Sequence, residues 1–128
     1  MVIEICTLES INGIPFGSHL EDLEAVLGQP DKALENYTGE LELLYGECFY
    51  RLFGDRLVEA TFPGTYQFNV DGVSVLSMYE WLQGCADVVD MARFRISLAH
   101  GIAFDNRNQV HASVTVFEKG RWDQLVLG

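Results

Sequence analysis

Three histidines, His19, His100 and His111, are the residues of this chain best suited to metal or proton chemistry. His100 and His111 fall in two extended stretches joined by the polar loop Asp105-Asn106-Arg107-Asn108, and a hairpin there would bring them together. With Asp105 they would make a three-ligand set of the kind zinc accepts. Their spacing follows no metal motif, and His19 falls at the exposed start of a helix. A Ser/His/Asp hydrolase needs a strained nucleophile turn such as Gly-x-Ser-x-Gly, and the chain has none; Gly17-Ser18 and Gly72-Val73-Ser74 read as a helix cap and a hairpin. Cys6, Cys48 and Cys85 are an odd set without Cys-x-x-Cys, so they read as free thiols and not as a disulfide pair or a zinc site. No glycine-rich loop could cradle a phosphate. Tyr79, Trp81 and Trp122 could line a ligand pocket, although aromatic side chains at this density also fill cores. The expectation is a protein with no catalytic residue, metal or cofactor. The alternative is a small ligand-binding protein or enzyme with a pocket near His100 and His111.

Charge carries more information than any motif. The formal net charge is −11. Residues 1–50 hold ten acids against the single base Lys32, whereas residues 51–128 hold nine acids and seven bases. Such an acidic half disfavours nucleic acid and anionic membranes. It suits electrostatic steering toward a protein with a basic surface. Glu21, Asp22, Glu24, Glu40 and Glu42 are the expected partner-binding residues, on the first helix and the strands after it.

The elements that must position these residues are legible in the spacing. Leu20, Leu23 and Leu27 share one helical face over 18–27. Ser18 with Glu21 forms a candidate capping box, Gly28 suits the C-terminal cap, and Pro30 blocks continuation. Strands are expected over Val2–Leu8, Ala33–Tyr37 and Leu41–Tyr45. A hairpin joins Cys48–Phe53 to Arg56–Phe62 across Gly54-Asp55, and another joins Thr65–Val70 to Val73–Leu76 across Asp71-Gly72. Ser77 and Glu80 open a second short helix over 78–83. The segment Cys85–Ala92 reads equally as a helical turn or an edge strand. Phe94, Ile96 and Leu98 alternate with Arg93, Arg95 and Ser97, so two bases fall on one strand face and call for acids beside them. Ile102–Phe104 resumes the strand pattern after Gly101, and Val110–Phe117 alternates through its length. Arg121-Trp122 then leads to a short tail. The fold class is α+β: antiparallel sheet, single or paired, built from successive hairpins with two short helices, in one domain over 1–128.

The elements Gly17, Leu23 and Leu27-Gly28-Gln29-Pro30 resemble the opening of the BamE/SmpA-type domain of outer-membrane assembly lipoproteins, which runs Gly, an aliphatic six residues on, then Leu-Gly-x-Pro. The resemblance covers 14 of the 128 residues. It implies the local helix geometry, with an assembly scaffold module as a further alternative. The signal peptide, lipidated cysteine and second helix of that family have no counterpart in the sequence. In general character the chain also resembles small acidic bacterial toxin-immunity proteins. Met1-Val2-Ile3-Glu4-Ile5-Cys6 lacks the basic n-region of a leader, so the cytoplasm is the expected location. The sequence therefore reads as a non-catalytic protein-binding domain for a basic partner, as an immunity or inhibitor protein is for a toxin. Partner identity and oligomeric state are not encoded in any motif.

Overall fold

A computed structural model describes residues 2–106 and 112–128. Period-two burial appears at once in β1 (Val2–Cys6), where Ile3 and Ile5 are buried and Val2, Glu4 and Cys6 face solvent. β2 (Ser10–Ile11) and β3 (Ile14–Pro15) form a small hairpin across Asn12-Gly13, both at positive φ. That is the turn geometry Asn-Gly favours. The chain continues through α1 (Leu20–Leu27), β4 (Lys32–Glu35), β5 (Glu40–Tyr45), β6 (Cys48–Phe53), β7 (Arg56–Pro63), β8 (Gln67–Val70), β9 (Val73–Val75) and α2 (Met78–Gln83). It closes with β10 (Val89–Met91), β11 (Phe94–Ser97), β12 (Ile102–Asp105), β13 (Ser113–Phe117) and α3 (Asp123–Leu127).

The strands make two sheets, one ordered β3-β2-β1-β8-β9 and an eight-stranded one ordered β10-β11-β12-β13-β7-β6-β5-β4. The expected α+β class and its hairpins at Gly54-Asp55 and Asp71-Gly72 are present. Two features depart from a simple run of hairpins. β1 and β8 pair in parallel, because β8 returns to the first strand only after β4–β7 have been laid down in the other sheet. β13 also pairs with β7, a partner distant in sequence.

The main core lies between the sheets. It takes Ile3, Ile5, Phe68 and Val70 from the smaller sheet and Leu43, Tyr50, Leu52, Phe62, Val114 and Val116 from the larger. Tyr45, Tyr50, Phe62 and Phe68 form an edge-to-face ladder with centroids 5.7, 5.8 and 6.3 Å apart, a preferred aromatic geometry. Burial pushes the Tyr50 phenol to about 12. Leu23 of α1 and Met78 and Leu82 of α2 complete this core. A second cluster, Ile96, Ala103 and Phe117, lies on the opposite face of the large sheet and packs against Trp122 and Val126. Gly101, at the turn into β12, fits because a Cβ there would lie 2.5 Å from the Phe117 carbonyl oxygen. No helix among the described residues is long and apolar enough to cross a membrane.

Two local readings need correction, and one open reading is resolved. The first helix begins one residue later than Ser18 implies. The Ser18 hydroxyl donates to the Pro15 carbonyl at 2.6 Å, so the turn before the helix claims it. His19 becomes the N-cap, and the Asp22 carboxylate, not Glu21, accepts the His19 N–H at 2.9 Å. The ambiguous stretch before Phe94 resolves as edge strand β10, which pairs Val89 with Ile96. The tail forms a third helix, α3, because Val126 finds an apolar patch on the sheet. Elsewhere β1, β8 and β9 fall short of their expected bounds, β5, β7 and β12 run one residue beyond them, β4 starts one residue early and ends two early, and Gly46-Glu47 is the turn between β5 and β6. Val110 and His111 lie outside the described residues.

Leu23 is 0% exposed, so Leu23→Ala is expected to cost about 2–5 kcal/mol in urea denaturation. Asp22→Ala should cost about 1 kcal/mol through the lost cap, and Glu21→Ala measurably less.

Candidate functional site

Strand register determines which side chains share the outer face of the large sheet, the side away from the main core. One row crosses it as Leu34, Glu42, Arg51, Glu59 and Phe117. The next runs Leu44, Phe49, Thr61, Thr115 and Ala103. A third carries Pro63, Ser113, Asp105 and Phe94. Leu52 pairs with Leu57 and Arg51 with Glu59, so Val58 is an extra residue in β7. Such a bulge re-aims the strand beyond it, here placing Glu59 outward while Ala60 stays in the core.

Glu59 is the centre of this face. It is only 7% exposed. Its carboxylate accepts from Arg51 Nη1 at 2.9 Å, Arg121 Nε at 3.0 Å and Trp122 Nε1 at 3.1 Å. Arg51 Nη1 also donates to Thr61 Oγ1 at 2.8 Å, and Thr61 shares a hydrogen bond with Thr115 at 2.9 Å. Arg121 reaches Glu40 with Nη2, and Arg51 Nε stands 3.7 Å from Glu42. Burial lowers the Arg121 pKa from its ordinary value, though a guanidinium remains charged throughout the physiological range. Trp122 stacks on Phe117 at 5.0 Å and meets Phe94 edge-on at 5.2 Å.

The five acids expected to bind a partner therefore divide between two surfaces. Glu40 and Glu42 belong to the outer-face network and have arginines of their own. Glu21, Asp22 and Glu24 lie on α1, whose Leu23 points into the main core. Glu21 and Asp22 are exposed, Glu24 is half-buried, and Asp22 is engaged in the cap. The two bases of the β11 region do meet acids, Arg93 with Asp105 at 3.0 Å and Arg95 with Asp90 at 2.7 Å. They are not on one face, however, because Arg93 precedes the strand and pairs toward the outer side.

Among the described residues, His19 and His100 lie apart. His19 Nδ1 lies 2.7 Å from the Asp55 carbonyl oxygen, and that bond, with the nearby Asp55 carboxylate, raises its pKa. His100 stands edge-on to Trp81 at 5.0 Å, with Nδ1 2.8 Å from Ser97 Oγ. Asp105 is engaged with Arg93 on the outer face, while Ser97 pairs with Ile102 of the core side. His111 lies outside the described residues, among which no group of three His, Cys, Asp or Glu could hold a metal. Among the described residues Tyr79, Trp81 and Trp122 have separate neighbours: Tyr79 lies under Arg95, Trp81 on His100 and Trp122 on Phe117.

A grouping the spacing did not reveal is Asp87, Ser97 and His100. The Ser97 hydroxyl donates to Asp87 Oδ1 at 2.7 Å, and the Ala99 N–H donates to Asp87 Oδ2 at 2.9 Å. A hydrolytic triad needs histidine in the middle, taking the serine proton. Here serine is in the middle, fully buried, with its proton committed to aspartate. The neighbouring Cys85 thiol is raised by burial and is no poised thiolate. This cluster closes a loop and supplies no nucleophile.

No protein-family model matches the chain, and no curated protein or solved structure matches it either.

Glu59→Ala should lower stability by about 3–5 kcal/mol, because it leaves two partly buried guanidiniums short of an acceptor. Urea denaturation followed by Trp fluorescence measures this. Asp87 gives a pH signature. Burial alone would raise its pKa, but the Ala99 N–H and the Ser97 hydroxyl outweigh burial and hold it below 3.8. A carboxylate with a lower pKa folded than unfolded contributes stability above the unfolded value and loses it as pH falls through the folded one. The penalty of Asp87→Asn, read from urea midpoints, should therefore be largest near neutrality and shrink below about pH 4.

Proposed function

We propose that the protein is a non-catalytic, cytoplasmic protein-binding domain whose partner presents a basic surface, in the manner of an immunity or inhibitor protein. One observation carries this reading. Each arginine among the described residues, Arg51, Arg56, Arg93, Arg95 and Arg121, is already ion-paired within the protein. Glu9, Glu21, Glu24, Glu35 and Glu47 form no ion pair among the described residues. The surplus negative charge of the first half is therefore left for an outside partner, and long-range attraction of that sign speeds encounter with a basic protein.

The outward side of α1 adds contact chemistry to charge. Val26 is 62% exposed beside Ala25, and with Ile14, Pro15 and Asp22 they border a shallow cleft of about 460 Å3. An apolar centre with acids at its margin is the ordinary composition of a protein-binding patch. Glu21 and Glu24 are the acids on this helix that the fold does not need for capping, and Glu40 and Glu42 contribute less because arginines already neutralise them.

The partner can be recovered from a lysate of the source cell by affinity capture, and its association rate then measured against Glu21→Lys/Glu24→Lys. The double variant should slow association by about tenfold at low salt and flatten the salt dependence. An unchanged rate and unchanged salt slope, with the fold intact, would exclude this helix as the binding surface.

A further inference from the structure

The outer face of the large sheet holds a groove of about 520 Å3 above the Glu59 network, bordered by Phe49, Arg51, Arg93, Phe94, Ser113 and Trp122. Its volume is within the usual range of small-molecule sites. Arg51, Arg93 and Arg121, three of the five arginines among the described residues, serve this face, each paired with one or two of the acids Glu40, Glu42, Glu59 and Asp105.

The hydrogen-bond inventory shows what the groove can still offer. Both oxygens of Glu59 are in use, accepting from Arg51, Arg121 and Trp122. Thr61 Oγ1 accepts from Arg51 and shares its remaining bond with Thr115. Asp105 accepts from Arg93 Nε. Among the described residues, the guanidiniums by contrast have donors to spare. Arg51 Nη2 and both Nη groups of Arg93 have no acceptor among the described residues, and a guanidinium carries five N–H donors. Both heads are held over aromatic rings, Arg93 at 4.8 Å from the Phe94 centroid and Arg51 at 5.8 Å from that of Phe49. With Glu59 and Thr61 already occupied by donors of the protein, the guanidinium N–H groups are what this groove presents to an acceptor-rich anion, and the planar fork suits a carboxylate. The phenyl rings of Phe49 and Phe94 supply apolar walls for a flat body attached to it.

We propose that this groove binds a small organic carboxylate with a planar apolar body, its carboxylate held by Arg93 and Arg51 and its body lying between Phe49 and Phe94. The inference does not rest on the protein partner, which the preceding reading places at α1.

Benzoate is the probe, titrated into the full 15N-labelled chain and followed by NMR at the two tryptophan indole N–H groups. Trp122 borders the groove and Trp81 stands beside His100, so the second serves as internal reference. Benzoate should move the Trp122 resonance saturably, with a dissociation constant of about 1 mM, and leave Trp81 in place. Benzyl alcohol, which keeps the ring and lacks the charge, should bind at least about tenfold more weakly. Arg93→Gln leaves the Glu59 network untouched and should weaken benzoate by about tenfold, and Arg51→Lys, which keeps charge but loses the fork, should do the same. Absence of a saturable Trp122 shift up to about 20 mM benzoate would overturn the proposal. So would equal binding of benzyl alcohol, or unchanged benzoate affinity in both variants with dispersed, native-like spectra.

Discussion

The Glu59 carboxylate ties together parts of the chain that lie far apart in sequence. Arg51 reaches it from the neighbouring strand, and Arg121 and Trp122 reach it from the segment leading into the last helix. A carboxylate this buried is tolerable only while several donors replace the water it has lost, because the desolvation of an unpaired ion is several kcal/mol. The dependence runs both ways. The C-terminal segment must lie on the sheet for Glu59 to be satisfied, and once there it brings Trp122 onto Phe117 and Val126 over Ile96 and Ala103. One polar contact thus sets where the second apolar cluster forms, and the bulge at Val58 is what aims Glu59 toward it.

The same pairing explains how the charge of the protein is distributed. Acids that lie beside arginines on the outer face of the large sheet are largely neutralised in place. The excess resides on exposed positions of the first half, including α1 and the turns around β4 and β5. Self-repulsion among exposed carboxylates is mild in salt, since the Debye length is about 8 Å at physiological ionic strength.

The Asp87, Ser97 and His100 cluster shows why residue types are a weaker guide than their order in space. The three residues of a hydrolytic triad are present and hydrogen-bonded. Serine, however, occupies the central place and donates its proton to aspartate, so no lone pair is being activated for attack. The cluster instead anchors the turn Leu98-Ala99-His100 beneath β11, where Trp81 of α2 packs against the imidazole. A buried serine with both bonds satisfied is rigid, and rigidity here serves the joint between α2 and the sheet.

Much of the local structure was legible in the residues themselves. Alternation of residue types marked Cys48–Phe53, Phe94–Ser97 and Val114–Val116, because successive side chains of a strand point to opposite faces, although only the first alternates in burial. Asp71-Gly72 and Gly54-Asp55 marked their hairpins because few residues tolerate the turn dihedrals, and Leu20, Leu23 and Leu27 marked the face of α1. What the sequence could not contain was pairing between distant segments. Nothing near Val2 foretells a parallel partner at Gln67, and nothing near Arg121 foretells Glu59. Ser18 shows the same limit at short range: its type suits an N-cap, but the Pro15 carbonyl lay closer. The cap, the tail helix and the outer-face groove were each decided by which groups the fold brought within hydrogen-bonding distance, since competition among equally capable donors is settled only when the chain has closed.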